Sequence, residues 1–361
     1  FHNIKSKLEV RTKMLKGEWP GRGCEHCKST EDAGGHSDRM SHLNMQGVTA
    51  PKELEKDTTA VDVTPTQLEI YFSNTCNLKC LYCNSKFSST IDNENRIHGQ
   101  FEYGFENNQG APVRVYGKVE INPNIEEDTD KLFVWLEEHI HELNKVMILG
   151  GEPFLQKETE RMVELLERTS NPNLTLVVFS NLTVDPARVQ KWLARMWNLV
   201  ERGKLDNLQV VGSLDCWGPQ AEYVRNGLDL NKYVENMEFI LHNTKITPSI
   251  NSAMTALTIP TLPDLIVQLN KWSKVREVYW SGMKAGDAGR PYLNPTIFGK
   301  DILPLGIDKA IEVYETNGDA IKQAQLNNLK GIRTECANTE PDLLQQKLLK
   351  LYLKELDRRR N

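Results

Sequence analysis

The chain has 361 residues, of which 39% are hydrophobic and 26% charged, and its formal net charge at pH 7 is −5. This length suits one large α/β barrel or two ordinary domains. The acidic balance excludes a general field for binding a polyanion, no apolar run reaches the roughly 18 residues of a membrane-spanning helix, and residues 1–20 lack a signal peptide's apolar core. We therefore expect a soluble protein with neither nucleic acid nor membrane as a partner.

The predicted elements begin with a helix in residues 1–17, where apolar residues recur at loosely helical spacing and the pattern ends at Gly17. A polar, glycine-rich segment with Cys24 and Cys27 follows, and residues 50–66 are typical of a connecting segment. From residue 67 onward, short apolar stretches alternate with amphipathic ones. Strands are predicted at 67–73, 145–150, 174–180, 208–215, 246–254 and 276–282, and helices at 125–143, 157–169, 185–202, 228–242 and 262–273.

This alternation predicts a parallel sheet built from right-handed crossovers. Six such units favour an open α/β barrel of the partial (β/α)6, TIM-like type over a closed eight-fold one. We divide the chain into an N-terminal cysteine-containing segment (1–55), the barrel (56–300) and a C-terminal helical extension (301–361). In the long stretch 84–123, the pattern indicates only a hairpin at 112–121.

The cysteines are the strongest functional signal in the sequence. Five of the seven fall in two tight clusters, which favours metal ligation over a disulfide framework and indicates a reducing compartment such as the cytoplasm. The chain begins with Phe rather than Met, so we expect a processed or fragmentary product.

The stretch "SNTCNLKCLYCN", Ser73 to Asn84, has C-x3-C-x2-C spacing. Such short spacings let one loop bring three thiolates to a metal cluster. Structural zinc sites and plain electron-transfer clusters normally use four protein ligands, so three leave one metal position open. A zinc site completed by a distant Cys or His is the alternative.

These motifs together resemble the radical S-adenosylmethionine superfamily. In that family the fourth iron of a 4Fe–4S cluster is chelated by S-adenosylmethionine, whose reductive cleavage gives methionine and a 5′-deoxyadenosyl radical. The resemblance implies that Cys76, Cys80 and Cys83 are the cluster ligands and that Tyr82 is the aromatic residue common before the third cysteine. It also implies that "LGGEP", Leu149 to Pro153, supplies cofactor-binding residues, with Gly150, Gly151 and Glu152 at the methionine amino group and Pro153 completing the motif.

Four further residues carry the resemblance along the chain. Asn181, in "FSNLT", stands at a turn where peptide-modifying relatives have Thr-Asn-Gly, and Leu182 replaces that glycine. Ser213 and Asp215, in "SLD", match polar residues near the ribose, and Arg225 matches a basic residue that pairs with the methionine carboxylate. A helix cap for Ser213 and Asp215, and a surface charge for Arg225, remain open.

The second cysteine pair has C-x2-C spacing and needs further ligands to complete a metal site. Its surroundings resemble the auxiliary module of twitch/SPASM-like radical enzymes, which implies a second iron–sulfur cluster or zinc. The alternatives are a zinc knuckle and a plain thiol pair. The candidate extra ligands are Cys336, His26, His36 or cysteines upstream, and the matching residues are Arg11, Met14 to Gly17, Glu31, Gly35, Ser37 and Arg39.

The sequence therefore predicts a radical enzyme whose substrate is a peptide or protein and whose electron donor is a protein such as flavodoxin or ferredoxin. A small molecule such as a sugar or cofactor precursor is the second candidate substrate. A non-catalytic iron–sulfur or zinc-binding scaffold is the alternative from another class. No catalytic side chain is identified.

Overall fold

The computed structural model describes residues 3–21, 23–32, 37, 39–40, 64–99, 101–106, 112–115, 124–285, 290–316 and 323–360. The chain divides into two compact units, Phe1–Thr66 and Gln67–Asn361. The first unit contains helices α1 (Lys5–Leu15) and α2 (Glu25–Asp32). Helix α1 confirms the helix predicted within residues 1–17, and Gly17, at φ +75°, follows its end. Helix α2 was not predicted.

The second unit is organised around a six-stranded parallel sheet in the order β1-β5-β6-β7-β9-β10. Two short two-stranded sheets, β2-β8 and β3-β4, are antiparallel. The strands are β1 (Gln67–Tyr71), β2 (Lys79–Cys80), β3 (Phe101–Glu106), β4 (Pro112–Val115), β5 (Lys145–Leu149), β6 (Asn171–Ser180), β7 (Leu205–Ser213), β8 (Arg225–Asn226), β9 (Thr247–Met254) and β10 (Tyr279–Lys284).

Helices connect the consecutive strands of the large sheet, as crossovers between parallel strands require. The connecting helices are α3 (Ser89–His98), α4 (Ile125–His139), α5 (Lys157–Arg168), α6 (Pro186–Glu201), α7 (Pro219–Val224), α8 (Leu230–Asn243) and α9 (Leu262–Ser273). After β10 come α10 (Asp308–Thr316), α11 (Gln323–Asn338) and α12 (Leu343–Arg360). The predicted partial (β/α)6 architecture is confirmed. The described residues form an open sheet, in which β1 and β10 are the edges.

The core forms where apolar stripes of the helices meet the sheet. In α5, for example, Met162, Val163, Leu165 and Leu166 are buried while the intervening charged residues face outward. Alternate residues of β7 and β9 are buried in the same way. Each strand of a parallel sheet ends at the same edge, so the loops after β1, β5, β6, β7, β9 and β10 meet there.

The stretch 84–123 differs from the prediction. Helix α3 was not predicted. Its N-cap is nevertheless of the usual serine type, in which the Ser88 hydroxyl accepts a hydrogen bond from the Ile91 N–H at 3.2 Å. The hairpin predicted at 112–121 lies partly outside the described residues, since 116–121 are not described; β4, its first arm, pairs with β3, which lies earlier in the chain.

In the C-terminal part, α10, α11 and α12 agree with the helices predicted for residues 301–361. None of the described helices is long and apolar enough to cross a membrane.

Asn171, buried at the start of β6, generates a stability prediction. Its amide donates hydrogen bonds to the carbonyl oxygens of Ile140 (2.8 Å) and Leu143 (2.7 Å). Asn171→Asp removes both donors and sets a carboxylate against two carbonyls. We expect the free energy of unfolding, measured by urea titration, to fall by about 2–4 kcal/mol.

Asn173 provides the matched control because it is exposed two residues along the same strand. Asn173→Asp should change the free energy of unfolding by less than about 0.5 kcal/mol. Equal effects of the two substitutions would contradict the role given to Asn171.

Candidate active site

The three-cysteine loop follows β1 at the edge of the sheet where the strands end. Leu78 and Leu81 anchor the loop in the core, with exposures of 1% and 0%. Cys76, Cys80 and Cys83 line one cavity of about 440 Å³. The loop is also held by β8, because Cys80 in β2 pairs with Arg225 in β8.

The first turn of α3 holds this loop in shape. The hydroxyls of Ser88 and Thr90 both donate to the Leu78 carbonyl oxygen at 2.7 Å. The Ser89 hydroxyl accepts from the Cys76 N–H at 3.1 Å. These contacts come from a helix that the sequence did not predict, and "SST" after the third cysteine is the signal that could have found it.

All three loop cysteines are free thiols. Burial raises the pKa of Cys76 to about 12 and raises the pKa values of Cys80 and Cys83. The Arg225 guanidinium opposes these increases, and its Nη1 lies 3.9 Å from the Cys80 Sγ. A thiol so buried becomes a thiolate only when a positive centre replaces its proton, which is the behaviour of a metal ligand.

The donor set suits an iron–sulfur cluster. The three thiols come from one short loop and line the same cavity, beside the Arg225 guanidinium. Cysteine thiolates are the ligands of such clusters, so the residues present fit the 4Fe–4S group.

The glycines after β5 shape a second wall of the cavity. Gly150 and Gly151 have φ of +77° and +56°. A Cβ at Gly150 would lie 2.7 Å from the Tyr71 ring, and one at Gly151 would lie 2.4 Å from the Thr75 carbonyl oxygen. Only glycine allows this turn to pass so close to the cysteine loop.

Gln156, which the sequence did not single out, braces the same turn. Its amide donates to the Gly150 carbonyl oxygen at 2.8 Å and to the Ser73 carbonyl oxygen at 3.3 Å. It therefore joins the loop after β5 to the loop after β1. No sequence signal would have found it, since a glutamine ahead of a helix has many other uses.

Glu152 and Pro153 are both buried and lie behind the cavity wall rather than in it. The Glu152 carboxylate accepts from the Ser180 hydroxyl (2.8 Å), the Asn181 N–H (2.8 Å) and the Phe154 N–H (3.2 Å). Burial raises the pKa of Glu152 to about 7, while the three donors oppose that increase. In this structure Glu152 thus fixes the end of β6 against the glycine turn.

The turn after β6 places Asn181 in the cavity wall. The Asn181 side chain donates to Asn77 Oδ1, in the cysteine loop, at 2.8 Å. Leu182 is the one non-glycine residue with positive φ in the part of the chain that the structure describes (φ +50°). The turn therefore keeps a left-handed residue even though leucine replaces the glycine of the resembled motif.

Asp215 and Arg225 form a buried, bidentate ion pair. Arg225 Nε lies 2.9 Å from Asp215 Oδ2, and Nη2 lies 2.8 Å from Oδ1. The same carboxylate accepts from the Tyr82 hydroxyl (2.8 Å) and the Ala253 N–H (2.8 Å). Protein donors thus use the hydrogen-bonding capacity of the Asp215 carboxylate. Asp215 is therefore not a helix cap, and Arg225 is not a surface charge. Arg225 and Ser213 line the cavity, whereas Asp215 lies behind it.

The remaining wall comes from strands β9 and β10, which the sequence predicted without assigning them a role. These residues sit at the carboxyl ends of their strands, which is the signal that could have found them. They are Asn251, Ser252, Ala253, Met283, Lys284 and Ala285.

The N-terminal cysteine pair lies in the first unit, at the start of α2. Cys24 and Cys27 are free and partly buried. Nearby, the Glu31 carboxylate accepts from the Ser37 hydroxyl and from Arg39. Three residues of the resembled module are therefore brought together, whereas Gly35 and His36 lie outside the described residues.

At Leu182 we predict that the glycine variant is more stable than the alanine variant, which is the reverse of the usual order. Its side chain is fully buried, so either truncation should destabilise the protein by about 2–5 kcal/mol. Glycine also relieves the left-handed strain that alanine retains. We expect Leu182→Gly to be more stable than Leu182→Ala by about 1 kcal/mol in urea unfolding.

The matched control is Leu193, which is equally buried but lies inside helix α6. There the glycine variant should be less stable than the alanine variant by about 1 kcal/mol. The same order at both positions would contradict the strain assigned to Leu182.

Comparisons with known proteins found one family whose model matches most of the residues around the cavity. The model of the Radical SAM superfamily matches residues 70–240, which include the three cysteines, the glycine turn, Asn181, Ser213 and the Asp215–Arg225 pair. No curated protein matches the chain.

Solved structures give weaker likenesses. One described as native anSMEcpe with bound AdoMet has 17% identity and a TM-score of 0.43; the match covers 74% of this chain and 63% of that one. Another, also with a Kp18Cys peptide, has 15% identity, a TM-score of 0.42, and coverage of 71% and 63%. Methylornithine synthase (PylB) has 14% identity, a TM-score of 0.35 and coverage of 81% of each chain.

The chain thus spans 63% of the length of the first two solved structures that it resembles. Identities and TM-scores this low carry no argument about substrate. The family model, by contrast, matches the segment that builds most of the cavity. Residues 70–240, just under half of the chain, thus match the Radical SAM superfamily.

Proposed function

We propose that this chain is a radical S-adenosylmethionine enzyme whose 4Fe–4S cluster is held by Cys76, Cys80 and Cys83. One observation carries the proposal: the three cysteines, the glycine turn, Asn181, Ser213 and Arg225 share a single cavity of about 440 Å³. That volume is within the range of protein sites for small organic ligands, about 300–1,000 Å³.

The chain's own residues would divide the work of the site. A cluster with an open iron supplies the electron that cleaves S-adenosylmethionine to methionine and a 5′-deoxyadenosyl radical, which takes a hydrogen atom from the substrate. Gly150 and Gly151 leave backbone within reach of the methionine amino group. Ser213 and Asn181 offer polar groups, and Arg225 brings a positive charge beside the cysteines.

For the substrate, we propose a peptide or protein side chain. The support is a second cavity of about 770 Å³ that shares Tyr71 and Phe87 with the first. Charged side chains of both signs line this second cavity, including Lys86, Glu126 and Arg161. An extended substrate would therefore have space and polar contacts outside the reaction site. A small molecule confined to the first cavity is the competing substrate class.

The partners and compartment follow from the same chemistry. The cluster needs a one-electron donor protein, for which flavodoxin and ferredoxin are the proposed types. All seven cysteines are free in the structure, which supports a reducing compartment, and we propose the cytoplasm.

The enzyme proposal is tested with anaerobically reconstituted protein, dithionite and S-adenosylmethionine, by chromatographic measurement of 5′-deoxyadenosine. We expect wild type to release it, and a variant with Cys76, Cys80 and Cys83 all changed to Ala to release none. Wild type that carries the cluster but forms no 5′-deoxyadenosine would instead support a non-catalytic scaffold.

Cys216 and Cys336 provide the matched control because they are fully buried thiols away from the loop. The variant Cys216→Ala/Cys336→Ala should keep the visible absorption of the cluster and the release of 5′-deoxyadenosine. Loss of both signals in this control would mean that thiol removal acts through folding.

We further propose that the N-terminal unit is a twitch/SPASM-like module in which Cys24 and Cys27 hold a second iron–sulfur centre or zinc. Cys24 and Cys27 supply two thiols at C-x2-C spacing, so the centre needs further ligands in addition to them.

Metal analysis tests this second centre. The chain should carry iron or zinc beyond the four irons of the first cluster, and about eight irons in all if the second centre is 4Fe–4S. Changing Cys24 and Cys27 to Ala should remove the second centre and leave the first. Identical iron and zinc contents with and without these cysteines would make them plain structural thiols.

A further inference from the structure

Arg290 and Tyr352 lie against the cysteine loop from outside the cavity. Arg290 donates from Nη2 to the Cys83 carbonyl oxygen at 2.8 Å and from Nη1 to the Leu81 carbonyl oxygen. The Tyr352 hydroxyl donates to the same Leu81 carbonyl at 2.6 Å. Two carbonyls of the turn that ends at the third cysteine are therefore held by side chains distant in sequence.

The two side chains also hold each other. Arg290 Nη1 lies 3.1 Å from the Tyr352 hydroxyl, and the guanidinium carbon lies 5.4 Å from the centre of the Tyr352 ring. Arg290 is only 6% exposed and Tyr352 only 4%. A buried guanidinium keeps its charge, since arginine does not lose its proton in proteins. The turn at Cys83 thus has a fixed positive charge close to it.

Helix α12 fixes Tyr352 by contacts at its C-terminal end. Arg360 pairs with Glu94 in α3 at 3.0 and 3.3 Å. Arg359 lies 3.3 Å from the Asn95 Oδ1, and the Asn95 amide donates to the Ser85 hydroxyl in the cysteine loop at 2.9 Å. The helix therefore contacts both the loop and the helix that shapes it.

The family match does not account for these contacts. It ends at residue 240, while Arg290 and Tyr352 belong to the segments that follow. A cluster's stability and reduction potential depend on the hydrogen bonds and charges around its ligands, not only on the ligands. A positive charge near the cluster favours its reduced, more negative form.

We propose that Arg290 and Tyr352 are positioning residues for the cluster. Arg290 and Tyr352 together hold the turn between Cys80 and Cys83 in its ligating shape, and the Arg290 charge raises the reduction potential of the bound cluster. This proposal rests on the proposed function, because it requires a cluster on Cys76, Cys80 and Cys83.

The experiment compares reconstituted wild type with Arg290→Gln, Arg290→Lys and Tyr352→Phe. It measures the rate of iron loss to a chelator and the midpoint potential by redox titration followed by electron paramagnetic resonance, without substrate. Lysine keeps the charge but cannot donate to two carbonyls from one planar group. Phenylalanine removes only the hydroxyl.

We expect all three variants to lose iron faster, about 10-fold for Arg290→Gln. The midpoint potential should fall in Arg290→Gln and stay near the wild-type value in Arg290→Lys and Tyr352→Phe. Arg290→Lys keeps the positive charge and Arg290→Gln removes it. A merely structural role of Arg290 would not produce a difference in midpoint potential between these two variants.

Tyr223→Phe is the matched control. Its hydroxyl lies 2.9 Å from Asp357 Oδ1 and so joins α7 to the same helix α12 without contacting the cysteine loop. Its iron loss and potential should match wild type.

Three outcomes are distinct. Iron loss and potential that are unchanged in Arg290→Gln and Tyr352→Phe overturn the positioning role, even if wild type makes 5′-deoxyadenosine. Wild type that binds no cluster overturns the proposed function itself. If Arg290→Gln fails to fold, Arg290→Lys and Tyr352→Phe decide the question by iron loss, and wild-type rates in both overturn the proposal.

Discussion

The buried carboxylate of Asp215 is the constraint on which the site depends. It follows β7 and accepts from Arg225, Tyr82 and the Ala253 N–H, which belong to the short strand β8, the cysteine loop and β9. A carboxylate with no exposure is tolerated only when its oxygens are satisfied by donors in good geometry. The three segments are thereby held at fixed positions around one acceptor, and Cys80 is held with them through its pairing with Arg225.

Glu152 does the same for the other half of the cavity. Its carboxylate accepts hydrogen bonds from the end of β6 and from the short 3-10 helix Pro153–Leu155, which follows the glycine turn. Its own N–H donates to the Thr75 carbonyl oxygen at 2.7 Å. The cavity is thus framed by two buried carboxylates whose partners come from different strands. Glu152 and Asp215 both lie behind the cavity wall. They therefore position the residues that face the cavity without entering it themselves.

The cysteine loop is preorganised by contacts on several sides. Leu78 and Leu81 anchor it in the core, α3 binds its backbone, and Arg225 contacts Cys80. Burial raises the pKa of the Cys76 and Cys83 thiols, which favours their neutral form. A loop held by these contacts loses less conformational entropy when it binds a ligand.

The sequence by itself determined the alternation of strands and helices, the open parallel sheet and the positions of the chemistry-bearing motifs. These follow from local periodicity and from short spacings such as C-x3-C-x2-C, which are properties of neighbouring residues. Gly150 and Gly151 were recognised for the same reason, although their need for positive φ and close approach to Tyr71 and Thr75 appears only in three dimensions.

Only the tertiary structure decided which side chains face the cavity and which stand behind it. Glu152 and Asp215 belong to sequence motifs, yet their oxygens are filled by donors brought from other strands. Gln156, Arg290 and Tyr352 carry no sequence signal, because each donates to a carbonyl group far away along the chain, in the case of Gln156 that of Ser73. Burial and hydrogen bonding between distant segments depend on how the strands and helices pack, and no local pattern encodes that packing.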